Sequence, residues 1–158
     1  MKIEDMEWKE MLAEASKMEV KIKKLEPNAV IPSYARKGDA GLDLTAISAV
    51  INREGIVQYG TGIAVEIPEG YVGLVFPRSS VFRTGWVMSN SVGVIDSGYR
   101  GEIKATFVKV NGHRPIPYST GERVAQLVII PYPTVELVEV DELSETERGT
   151  GGYGSTGK

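Results

Sequence analysis

The sequence predicts an all-β fold, a sandwich or barrel of the jelly-roll kind, and three observations predict it. From Val20 onward the chain consists of short apolar runs broken by Gly, Pro, Asn and Asp. Two of the clearest runs stop at a proline, which cannot donate to a strand ladder. After Met18 no segment carries a convincing helical period.

The segment Met1–Met18 reads differently. Trp8, Met11, Leu12, Ala15 and Met18 recur at three- and four-residue spacing, and Asp5 and Lys9 form an i,i+4 pair, which predicts an amphipathic helix. Its plain reading is a packing appendage or a contact between subunits. Ile63, Val65 and Ile67 then alternate with other residues, and Pro68-Glu69-Gly70 signals a turn. Tyr71 to Phe76 is a candidate buried strand ending at Pro77, and Val124 to Ile130 is another ending at Pro131. Val135, Leu137 and Val138 begin a last strand. His113, in the hairpin-like Val110-Asn111-Gly112-His113-Arg114, reads as a solvated turn residue, and Trp86 and Phe107 read as core. The tail from Arg148 has glycine at 149, 151, 152, 154 and 157, so it predicts a chain without a fixed shape of its own. The expected organisation is a helical appendage over 1–18, a β domain over 19–143 and a flexible arm over 144–158.

Composition narrows the chemistry. The 158 residues suit one domain with a sizeable core, and 42% hydrophobic content argues against disorder over most of the length. A net charge of −3 argues against binding a nucleic-acid backbone, though a few placed arginines suffice for a small anion. The chain has no cysteine, which excludes disulfides, zinc-thiolate sites and thiol nucleophiles, and its single histidine excludes a multi-histidine metal site within one chain. No apolar run approaches the roughly 20 residues of a membrane span, and no signal pattern opens the chain. The expected compartment is the cytoplasm, or the cytoplasm or nucleus of a host cell for a viral protein.

Five clusters carry the chemistry. Asp39-Ala40-Gly41-Leu42-Asp43-Leu44 sets acidic residues beside a strand. Pro77-Arg78-Ser79-Ser80 places a guanidinium and two hydroxyls at a strand end. Asn90 to Glu102 contains Gly93-Val94-Ile95-Asp96-Ser97-Gly98-Tyr99, and Gly121-Glu122-Arg123-Val124-Ala125-Gln126 precedes the glycine-rich tail. Singly each has a dull reading: a loop, a turn-forming aspartate at Asp96, a satisfied core amide at Gln126. Gly152 to Lys158 also meets most of a P-loop pattern, but the chain has no Ser/Thr after Lys158, no leading strand and no following helix, so that fold is rejected.

In this order and at these spacings, the five segments closely resemble the five motifs of the trimeric dUTP pyrophosphatase family, over roughly Val20 to Lys158. The resemblance implies a dUTPase-like β-clip, a jelly-roll-like barrel. It implies hydrolysis of dUTP to dUMP and pyrophosphate by Mg2+-assisted attack of water on the α-phosphorus, which keeps uracil out of DNA and supplies dUMP. It makes Asp96 the base that orients and deprotonates the water, with Gln126 holding the water or a phosphate oxygen. Arg78 and Ser79 would grip the phosphates, Ser80 would add its N–H, and Arg148, Gly154, Ser155 and Thr156 would close over the γ-phosphate as the arm orders. Mg2+ would be held mainly by the phosphates, with Asp43, or less strongly Asp39, touching its waters. Asn90, Gly93, Val94, Ile95 and the main chain at Lys104 would read uracil. Tyr99 would lie against the deoxyribose, and Tyr153 would stack on the base. The implied assembly is a homotrimer whose shared sites draw on three chains, with no nucleic-acid or membrane partner.

Two other functions compete for the same motifs. A dCTP deaminase shares the fold and the Arg-Ser-Ser element, but its chemistry needs a glutamate where this chain has Thr106, and Asp96 with Tyr99 favours the pyrophosphatase. A non-catalytic dUTP-sensing regulatory protein is the other, disfavoured by the intact base, arginines and tail.

Overall fold

The computed structural model describes residues 18–110, 112 and 115–152. Ten strands follow in order: β1 (Lys21–Lys24), β2 (Leu42–Thr45), β3 (Ser48–Ile51), β4 (Val57–Gly60), β5 (Ile63–Glu66), β6 (Tyr71–Pro77), β7 (Trp86–Met88), β8 (Gly93–Ile95), β9 (Lys104–Lys109) and β10 (Arg123–Pro131). A 3-10 helix, Ser79–Arg83, leaves the end of β6. The all-β expectation holds: among the described residues this short turn is the only helical element. The appendage expected over 1–18 lies outside the described residues except Met18, which is exposed and in no regular element.

Two four-stranded sheets and one two-stranded ribbon, antiparallel throughout, make up the fold. Their orders are β2-β10-β6-β8, β3-β4-β9-β7 and β1-β5. Among the described residues the expected barrel is therefore not closed by hydrogen bonds. The ladders end at β2 and β8 on one sheet and at β3 and β7 on the other, so the two sheets meet through side chains instead. Leu44, Val75, Val124 and Leu127 from one sheet share a core with Val57, Tyr59, Met88, Ala105 and Phe107 from the other. Phe107 is fully buried, and Trp86 is nearly so, donating its indole N–H to the Ile116 carbonyl at 3.1 Å, as core aromatics must. Tyr59 meets Phe107 edge-to-face at 5.8 Å and accepts the Tyr118 N–H on its hydroxyl at 2.9 Å. Burial pushes the Tyr59 phenol up from its ordinary value of 10.0.

The local reasons match the sequence in most places. Gly70 sits at φ 82°, where a side chain would be strained, and the Pro68 carbonyl accepts the Tyr71 N–H to close the turn before β6. β6 and β10 run side by side from Ala125↔Pro77 to Pro131↔Tyr71, both ending in the prolines noted above. The strand expected from Val135 does not form. Val135, Leu137 and Val138 are 70%, 92% and 73% exposed, and among the described residues this stretch has no neighbouring strand to satisfy its backbone. His113 lies outside the described residues. No helix among the described residues is long and apolar enough to cross a membrane.

Candidate active site

The motif side chains gather into two separate pockets. The first, about 460 Å3, lies where β2, β10 and the end of β6 meet, and is lined by Asp39, Gly41, Asp43, Arg78, Ser79 and Gln126 among others. β6 stays extended through Arg78, at φ −76° and ψ 153°, before the 3-10 helix begins at Ser79. That change of direction sets the guanidinium and the Ser79 hydroxyl at the pocket, while Ser80 lies within the helix and outside the lining. Gln126 stands opposite Asp43 on β2 and Phe76 on β6. Its amide donates to the Pro77 carbonyl at 3.1 Å, and its Oε1 lies against Gly41, where a β-carbon would come within 3.1 Å of the amide carbon and closer still to the oxygen.

Asp43 is the hub of this pocket. Its Oδ1 accepts from Arg78 Nε at 3.0 Å and its Oδ2 from Arg123 Nη1 at 2.9 Å. With its side chain 14% exposed, the carboxylate is shielded from water and compensated by these two cations. Asp39 Oδ2 accepts the Arg36 N–H at 2.8 Å and turns the preceding loop. Among the described residues no three His, Cys, Asp or Glu side chains converge to cage a metal. Such a donor set suits an ion carried in on phosphate oxygens better than one held by the protein alone.

The second pocket, about 350 Å3, is lined by Asn90, Gly93, Val94, Ile95, Asp96, Tyr99 and Lys104, together with Gln58, Val75, Glu102 and Thr106. The segment between β7 and β8 crosses from one sheet to the other, with Ser91 at φ 58° inside that crossing. Asp96 follows β8 directly, exposed, and its carbonyl accepts the Tyr99 N–H at 3.0 Å to form a tight turn. The Tyr99 ring folds back over Gly101, where a β-carbon would lie 2.5 Å from Cζ and 2.9 Å from Cε2, and its hydroxyl donates to the Glu102 carbonyl at 3.1 Å. Lys104 Nζ pairs with Glu102 at 3.3 Å, whose other oxygen accepts the Gly62 N–H. On the pocket edge of β9, pairing with β7 stops at Phe107, so the main chain at Lys104 has no strand partner on that side among the described residues.

Every sequence-derived candidate among the described residues except Ser80 and Arg148 lines one of these pockets. Arg148 is exposed in a local turn, donating Nε to the Gly151 carbonyl at 3.0 Å. Tyr153, Gly154, Ser155 and Thr156 lie outside the described residues. Sequence reading missed Gln58, whose Nε2 donates to Thr106 Oγ1 at 3.2 Å, since β4 carries no motif.

The two pockets do not merge within one chain. Ile95 pairs with Gly73, so Asp96 stands level with Val72 near the start of β6, while Arg78 follows its end. Six extended residues separate those levels, about 20 Å at the usual strand rise.

A family model described as dUTPase matches residues 27–157. The deoxyuridine 5'-triphosphate nucleotidohydrolase of Nautilia profundicola is 47% identical over 143 residues, covering 89% of this chain and 100% of the relative. The protein of the same description from Nocardia farcinica is 43% identical over 140 residues, covering 87% and 85%. Among solved structures, the dUTPase of Staphylococcus bacteriophage 80alpha with dUPNHPP superposes with a TM-score of 0.76 at 33% identity, covering 90% of this chain and 100% of that one. A mutant dUTPase from phage phi11 of S. aureus, described with a structural Mg(II) ion, gives 0.67 at 30% identity, covering 79% and 98%.

Proposed function

The chain belongs to the dUTPase family, and from that premise we propose that its two pockets are complementary halves of one site that hydrolyses dUTP to dUMP and pyrophosphate. The observation that carries the assignment of roles is the sorting of the motif side chains. The cationic and hydroxyl groups suited to phosphate line one pocket, and the Asp96–Tyr99 turn with free backbone edges lines the other.

In the second pocket the uracil meets the Asn90 side chain and the main chain at Val94, Ile95 and Lys104, with Gly93 leaving room. Tyr99, held by its bond to the Glu102 carbonyl, lies against the deoxyribose and takes the space of a 2′-hydroxyl. Asp96 at the pocket edge is exposed to solvent and free to align a water and accept its proton. Arg78 and Ser79 neutralise and orient the phosphates, with Ser80 adding its N–H, and Gln126 fixes the water or a phosphate oxygen. Asp43, and less strongly Asp39, would touch the waters of a magnesium ion carried on the triphosphate, which when bound would neutralise charge on the phosphate oxygens. Arg148, with Tyr153, Gly154, Ser155 and Thr156, belongs to the arm that covers the γ-phosphate and the base and excludes water.

Such a site also requires more than one chain. A base and a phosphate clamp about 20 Å apart cannot act on the same phosphorus, since reacting atoms must approach to about 3–3.5 Å. A homotrimer that sets the nucleoside pocket of one chain against the phosphate pocket of another resolves this. The exposed Val135, Leu137, Val138, Val140 and Leu143 supply apolar surface for such an assembly. Pyrophosphate release from dUTP, dCTP, dTTP and UTP, each with magnesium and with chelator, tests the whole reading. Strong preference for dUTP that collapses without metal supports it; ammonia from dCTP, or silence on all four, overturns it.

A further inference from the structure

We propose that Arg123 is a positioning residue for the phosphate clamp, acting through Asp43 to hold Arg78 with its two terminal amino groups free for the triphosphate. This rests on the reading of Arg78 as a phosphate ligand. An arginine beside a lone carboxylate tends to form a two-pronged fork, spending two of its N–H groups. Here Asp43 gives each oxygen to a different arginine. Arg78 is tied through Nε alone, at 3.0 Å, because Oδ2 is already taken by Arg123 at 2.9 Å. No other hydrogen bond from the Arg78 guanidinium occurs among the described residues, so both Nη groups remain to meet a ligand in the pocket.

The backbone is bent to make this possible. Arg123 and Gln126 are an odd number of residues apart, so a regular strand would send them to opposite faces of the sheet. The register against β2 shifts between Arg123↔Thr45 and Ala125↔Leu44, the mark of a β-bulge. Val124 and Ala125 are consecutive, and both are fully buried. Inserting one residue restores the phase, and Arg123 and Gln126 emerge on the same face, one bonded to Asp43 and the other paired opposite it. Without Arg123, the freed Oδ2 would draw a terminal amino group of Arg78 into a fork and away from the substrate.

The test is a double-mutant cycle in the full-length assembled protein. Arg123→Met should lower kcat/KM for dUTP about 10-fold or more, the usual worth of a hydrogen bond to a charged group. The inhibition constant of deoxyuridine, which has no phosphate, should not move. Arg123→Lys keeps a cation at Asp43 and should recover part of the loss. In an Asp43→Asn background, Arg123→Met should add little, because asparagine offers a single acceptor oxygen and can no longer bridge the two arginines. The same cycle run with Arg123→Lys serves if Arg123→Met does not assemble. A full-sized additive loss in the Asp43→Asn background would mean that Arg123 touches substrate itself, and unchanged kcat/KM would remove its role; either overturns the proposal. Turnover of dUTP by the unmodified protein, measured alongside, separates these outcomes from failure of the dUTP reading, which would silence every variant alike.

Discussion

Gly101→Ala offers a sharp perturbation of sugar selectivity, because the structure gives the size of the clash. The added methyl would sit 2.5 Å from Cζ and 2.9 Å from Cε2 of Tyr99, closer still to the hydroxyl. Carbon atoms pack at about 3.5–4.0 Å, so the ring must retreat by roughly 1 Å or more. The hydroxyl now 3.1 Å from the Glu102 carbonyl would then pass the limit of a hydrogen bond, costing about 1 kcal/mol. Stability should fall only by that amount, because the ring is 44% exposed and its movement opens no core cavity. The effect on chemistry should be larger and specific: with the ring displaced, the space that a ribose 2′-hydroxyl would need is no longer filled. The ratio of kcat/KM for dUTP to that for UTP should drop about 10-fold or more, equivalent to about 1.4 kcal/mol of lost discrimination. Parallel initial-rate measurements on the two nucleotides, with Tyr99→Phe as the control that keeps the ring and deletes only the hydroxyl, read this directly. If Gly101→Ala turns over dUTP with unchanged preference against UTP, Tyr99 does not guard the sugar.

Asp96→Asn should keep dUTP binding but reduce turnover by about 10²-fold or more, the usual contribution of a positioned base; near-normal rates would remove Asp96 from that role. Truncation before Arg148 should leave a folded, assembled protein with severely reduced catalysis, since the described contacts of Arg148 are confined to its own turn; full activity by the shortened chain would refute the arm assignment. Tyr59→Phe should cost about 1–2 kcal/mol near neutrality by stranding the Tyr118 N–H, visible as a lower urea midpoint. The same variant addresses alkaline stability. The folded-state pKa of Tyr59 lies above 10.0, so its contribution is intact below that pH and is lost as pH rises through the raised value. Tyr118, also raised by burial, keeps titrating in the variant, so the alkaline decline should become shallower rather than vanish.

Much of this was legible because it rests on short-range chemistry. Proline stops, the Pro68-Glu69-Gly70 turn and alternation at Ile63, Val65 and Ile67 are local events, and the strands appear where those signals stand. The motif spacing located most of the polar lining residues of both pockets. What stayed hidden depends on pairing. Val135 to Val138 has the composition of a strand but no partner among the described residues, and composition does not reveal whether a strand finds one. Gln58 enters its pocket only because β4 lies beside β9 in the sheet. The bulge in β10 is equally silent: Arg-Val-Ala-Gln reads as an ordinary run, and only the register against β2 shows that its first and last residues share a face.

The length of β6 between Val72 and Arg78 has a genetic consequence. In the proposed shared site, damage at Asp96 would spoil one kind of half-site and damage at Arg78 the other, so two different inactive alleles need not be equivalent. In a cell expressing both, mixed assemblies would contain some junctions where an intact base meets an intact clamp. Each allele alone is null, yet the pair would complement, while two alleles altered in the same pocket would not. In the proposed assembly the unit on which selection acts is thus the junction between neighbours rather than the single polypeptide.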